Sequence, residues 1–83
     1  MNNELIENIS KIHTTEMGAD RIRRNLSLGD TYVVKWCCSM ILDESAVIER
    51  KGKNWYVHTG DAVITVNAHS YTIITAHKKD KND

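Results

Sequence analysis

The sequence predicts an α+β domain in which three N-terminal helices pack on one face of a four-stranded antiparallel β-meander. Three observations predict it. From 46 to 77 the chain is dominated by Val, Ile, Thr, Tyr and Trp, and turn residues interrupt it at even spacing. Ahead of that stretch, apolar residues recur at helical rather than strand spacing. Two-residue loops at Lys51-Gly52, Gly60-Asp61 and Ala68-His69 then set a register in which one face is almost wholly apolar. The expected layout is a single domain over 1–83, with helices at about 2–43, the sheet at about 46–77 and a charged tail at 78–83.

Asn2 to Ile12 reads as the first helix, because Leu5, Ile9 and Ile12 recur at i, i+4 and i+7 and Ile6 widens the stripe. Asn2 or Asn3 can cap it, and Glu4 and Glu7 suit its positive end. His13-Thr14-Thr15 breaks the pattern. Thr14 or Thr15 can cap a second helix whose buried side is Ile22 and Leu26, and Gly18 weakens the first turn enough to move the start toward Ala19. Gly29 supplies a stop and Asp30 a cap for the third helix, Thr31 to Leu42. There Val33, Cys37, Met40 and Ile41 form one stripe, widened by Val34, Cys38 and Leu42, which suits a helix laid across a sheet. Asp43-Glu44-Ser45 turns the chain into the first strand.

The three loops fix a register. Ile48, Trp55, Val66 and Tyr71 form one row of the core face, and Ala46, Val57, Ile64 and Ile73 the next. The other face carries Glu49, Asn54, Asn67 and Ser70, then Val47, Tyr56, Thr65 and Thr72, then His58, Val63 and Ile74. A solvated face normally carries more Lys and Glu. This one is a polar strip beside an apolar one, which is the character of a surface that meets a subunit, a partner or a ligand.

Size and charge narrow the function. A chain of 83 residues buries only about 60% of its unfolded surface, so association would help its stability. Eleven basic and eleven acidic residues cancel, which argues against a dedicated duplex-binding protein. No apolar run reaches the length of a membrane span and no leader opens the chain, so the expected setting is cytoplasmic. The adjacent Cys37 and Cys38 lack the spacing of a zinc or redox pair and read as reduced, partly buried thiols. His13, His58, His69 and His77 form no ligand spacing, so neither metal nor cofactor is expected.

Candidate site residues are Tyr56, His58, Thr65, Asn67 and Thr72 on the open face, with Arg50, Arg21 and Arg24 as anion-binding groups. Tyr56 can stack on a base, and the hydroxyl and amide side chains can read a polar ligand. No phosphate loop or nucleophile elbow is present, and Glu49 is the only carboxylate that the register places on the open face, which leaves a two-carboxylate mechanism without a second member.

The segments IHTTEMGADRIRRNL, VIERKGKNWYVH and ITVNAHSYTIITAHK resemble a family of short bacterial and phage-borne proteins classed as a domain of unknown function, from about Ile12 to Lys78. Analogy with short phage-type proteins, some of them counter-defence proteins, implies sequestration or blocking. The expected function is therefore a non-enzymatic, oligomeric binding protein. It would sequester a phosphate-bearing, nucleotide-like ligand or block a host protein. A looser resemblance, in fold only, is to metal-independent ribonuclease toxins of the RelE and colicin type. It implies the alternative, a ribonuclease using His58, Tyr56, Thr72 and Arg50.

Overall fold

The structure is a computed structural model and describes residues 4–79. The expected caps Asn2 and Asn3, and residues 80–83 of the tail, lie outside the described residues. Helices α1 (Glu4–Glu7), α2 (Glu16–Leu26) and α3 (Val33–Ile41) precede strands β1 (Val47–Lys51), β2 (Asn54–Thr59), β3 (Ala62–Asn67) and β4 (Ile73–Lys78). The strands lie in the order β1-β2-β3-β4, all antiparallel. The predicted α+β architecture is the one observed.

The first helix is shorter than its periodicity suggests: α1 gives way to a 3-10 turn at Ile9–Lys11. Asn8 sits at the break. Its backbone N–H is shared between the Glu4 and Leu5 carbonyls, and its side-chain amide donates to Glu4 O at 2.9 Å. A side chain that competes for the helix's own acceptors favours such a change of pitch. The predicted stripe still faces inward, with Leu5 and Ile12 buried and Ile6 and Ile9 packed against the core.

The connector after it joins the sheet. His13 bridges in parallel to Thr72, donating its N–H to Tyr71 O and accepting from Ile73 N–H. Thr15 then caps α2, its hydroxyl oxygen accepting from Gly18 N–H at 2.9 Å. Gly18 does not delay the helix, contrary to the sequence expectation. A Cβ there would lie 2.6 Å from Thr14 Oγ1, and that hydroxyl is tied to Ile73 O. The glycine makes room for the hydroxyls of Thr14 and of the capping Thr15.

The stop of α2 is Ser27, not Gly29. Ser27 is left-handed at φ 55°, and the Leu28 N–H returns to Arg23 O, closing a Schellman-type end. A serine bears a steric cost there that glycine avoids. Ser27→Gly is expected to raise stability by about 0.5–1 kcal/mol in urea unfolding. No gain would show that Ser27 is unstrained.

Helix α3 begins two residues later than Thr31, with Tyr32 at its N-cap and no side-chain cap; Thr31 Oγ1 instead donates back to Leu28 O. Val33, Cys37 and Ile41 are buried from successive turns. Both cysteines are free. Burial, then the neighbouring Cys38, pushes the Cys37 thiol up to about 12, and burial also raises Cys38. The turn into β1 is held by Asp43, whose Oδ1 accepts from Ser45 Oγ and N–H; those bonds hold its carboxyl below the ordinary carboxylate value.

Helix α2 lies against β4 and α3 against β2. With Ile22, Leu26, Val33, Cys37 and Ile41 they cover the sheet face formed by Trp55, Val57, Ile64, Val66, Ile73 and Ala76, all buried.

Two of the three predicted registers need correction. The second hairpin, Gly60-Asp61, pairs as expected, with Tyr56 opposite Thr65 and His58 opposite Val63. The first loop is Gly52-Lys53, and Ile48 faces Val57 while Glu49 faces Tyr56. Gly52 and Gly60 each hold the first central position with positive φ, the place glycine takes in a type II′ turn. This one-residue move of the loop shifts the partner by two, so every β1 side chain keeps its predicted face. The third connection is longer, spanning Ala68 to Tyr71, and a bulge falls at Ile74 between the Thr65–Thr75 and Val66–Ile73 pairs. Tyr71 stays in the core next to Trp55, but from a loop and at φ 60°.

Candidate functional site: the uncovered sheet face

Directly opposed residues share a face, so the pairings define what the helices leave uncovered. One row holds Lys51, Asn54 and Asn67; the next holds Glu49, Tyr56, Thr65 and Thr75; the third holds Val47, His58, Val63 and His77. Tyr56 and His58 are half-buried here, and Thr65, in the middle of its row, is buried by its neighbours rather than by a helix.

The face carries an acid–base pair that the sequence reading missed. His58 Nε2 lies 2.9 Å from Glu49 Oε1, with Tyr56 directly opposite Glu49. A carboxylate only accepts, so Nε2 carries the hydrogen. The signal was available: glycine at the first central turn position sets the loop at Gly52-Lys53, and that register brings Glu49 beside His58.

Asn54 Nδ2 reaches the Tyr56 hydroxyl at 3.4 Å, and Asn54 Oδ1, screened from solvent, has no partner among the described residues. Asn67 is committed through its oxygen, which accepts from His69 N–H, Ser70 N–H and Ser70 Oγ. Its Nδ2 remains available for a ligand.

Thr72 lies at the β4 edge, and its hydroxyl bonds His13 Nε2 at 3.1 Å and Ser70 Oγ at 2.8 Å. His13 Nδ1 donates to Lys11 O. Both nitrogens of His13 are thus spent fastening the connector to the sheet, and Thr72 is a fastening group as well.

The three arginines do not join this face. Arg50 pairs opposite Trp55 on the helix side, its guanidinium 5.2 Å from the indole centroid. Arg21 and Arg24 are exposed on α2, which packs over β4, three strands away from Arg50. At about 4.8 Å per strand, β1 and β4 lie roughly 14 Å apart across the sheet. Lys51 is the cation that the register places on the uncovered face.

A groove of about 600 Å³ lies on the helix side, floored by Ile12, Ala19, Val33 and Val34 and rimmed by Arg23 and Tyr32. Arg23 is engaged with Asp20 and with Thr31 O. Among the described residues no group of three or more His, Cys, Asp or Glu could hold a metal ion, and no helix is long and apolar enough to cross a membrane.

The chain belongs to a family described as protein of unknown function (DUF3781), whose model matches residues 6–77. No curated protein and no solved structure matches it.

Proposed function

We propose that this member of the DUF3781 family is a small, non-enzymatic binding protein that holds a phosphate-bearing, nucleotide-like ligand on the uncovered face of its sheet. The observation that carries the reading is the set of half-buried Tyr56 and Asn67 around buried Thr65, which no helix covers. Tyr56 offers a ring for a planar base and Asn67 Nδ2 a donor for its edge. Lys51, in the row of Asn67 and one row from Tyr56, offers a charge for phosphate. Exposed Val47 and Ile74 flank the set and suit contact with a second copy, so the working form is an oligomer. Two free cysteines suit a reducing, cytoplasmic setting.

The test is a nucleotide-panel titration followed by amide NMR, with light scattering for oligomeric state. The expected result is perturbation centred on Tyr56, Thr65 and Asn67, lost in Thr65→Arg. Perturbation confined to the helix-side groove, or none with any nucleotide, sinks the ligand reading. A clean monomer at high micromolar concentration sinks the oligomer. A stable stoichiometric complex with another protein, formed through this face, would replace sequestration by blocking.

The Glu49–His58 pair favours a second reading, metal-independent RNA cleavage. Glu49 would take the proton of a ribose 2′-hydroxyl as that oxygen attacks phosphorus, and protonated His58 would give its proton to the departing 5′ oxygen. At 2.9 Å the two side chains must swing apart to admit the phosphodiester, which their partial exposure allows. Fragments ending in cyclic phosphate, formed in chelator and lost in His58→Gln, would establish this reading over the first. Intact RNA after prolonged incubation would remove it.

A further inference from the structure

We infer that the uncovered face is a pH-gated anion site built on His58 and His77. The inference rests on the binding reading above and adds its regulation. The sequence register would set Ile74 opposite Val63; the longer third loop and the bulge at Ile74 bring His77 there instead. Val63 then lies between two imidazoles, His58 on β2 and His77 on β4, in one row of one face.

In each ring one nitrogen is held and the other is free. His58 donates from Nε2 to Glu49, so Nδ1 is the nitrogen that gains a proton. His77 donates from Nδ1 to Lys78 O at 2.9 Å, so Nε2 gains it. The neighbouring charges cancel. Glu49 and Lys51 lie on β1, Asp61 in the turn between β2 and β3, and Lys79 just beyond β4; Tyr56 is neutral, and Lys78 pairs with Ala62 on the helix side. Imidazole is the side chain whose charge ordinarily changes between about pH 5 and 8. With both rings protonated, the balanced charges of this face give way to a doubly cationic one. Its ligand is a phosphodiester or similar oxyanion chain spanning the roughly 10 Å between β2 and β4.

The probe is a short oligothymidylate, whose phosphodiesters keep their charge over this interval and which lacks the 2′-hydroxyl needed for cleavage. Binding is measured by calorimetry at constant ionic strength at about pH 8 and about pH 5.5. Affinity is expected to rise on the order of tenfold at the lower pH, since two phosphate contacts are gained. His58→Gln and His77→Gln should each remove part of the rise, and the double variant all of it. Glu49→Gln should strengthen binding at both pH values, because it removes the carboxylate that competes for His58. Thermal unfolding checks that each variant is folded. Binding without pH dependence, or pH dependence that survives in the double variant, overturns the gate and leaves the binding reading standing. No oligothymidylate binding at either pH also overturns the gate, and the nucleotide-panel titration decides the binding reading separately.

Discussion

Trp55→Ala is expected to remove about 3–5 kcal/mol of stability, enough to leave little folded protein at 37 °C. The indole is 2% exposed and sits opposite Val66 in the middle of the core. Its ring is 5.4 Å from that of Tyr71, tilted by 36°, an arrangement that adds to simple burial. Arg50 lies over the indole, and Lys11 Nζ is 5.6 Å from the Tyr71 centroid. One stack therefore joins β1, β2, the third loop and the turn after α1, segments far apart in sequence. Truncation opens a cavity where these meet, and neither strand can collapse into it without losing its register. Urea unfolding followed by circular dichroism measures the loss. Arg50→Ala, which removes only a cation–π contact at the rim, should cost about 0.5–1 kcal/mol. If Trp55→Ala loses no more than Arg50→Ala, the stack is not what holds these segments together.

Trp55 and Tyr71 were legible in the sequence as core partners, and the reason is instructive. The alternation of apolar and polar residues reports which face a side chain takes, and this survived both register corrections for β1, β2 and β3. It does not report which residue lies opposite. That depends on loop length, set by backbone conformations such as the positive φ of Gly52 and Tyr71. The Glu49–His58 pair and the His58–Val63–His77 row are pairing facts, so the sequence reading lacked both. Likewise His13 read as a break between helices, because a one-residue bridge to Thr72 leaves no periodic signal. The arginines illustrate the converse: charge alone nominates Arg50, whereas its position opposite Trp55 sends it to the helix side.

Asn67→Ala is expected to cost about 2 kcal/mol, toward the upper end of what a capping side chain contributes, because one oxygen serves three donors. Asn67 Oδ1 takes the N–H groups of His69 and Ser70, both at 2.9 Å, and Ser70 Oγ at 3.2 Å. Its main chain accepts from Tyr71 N–H and donates to Thr72 O. These bonds stabilise the long loop over the two-residue Ala68-His69 turn that the strand pattern alone would choose. They also hold Tyr71 at its unfavourable φ. Without the side-chain oxygen the two loops draw closer in energy. In the shorter one Ile74, not His77, lies opposite Val63. The substitution should therefore weaken the fold and withdraw His77 from its place opposite Val63 on the uncovered face. Cross-strand NOEs between Val63 and His77 report the second effect and urea unfolding the first. Asn67→Asp keeps an acceptor in the same place and should preserve both the NOEs and most of the stability. Equal losses in the Ala and Asp variants would mean that the turn is set by the Tyr71–Trp55 packing beneath it, and that Asn67 follows the register without choosing it.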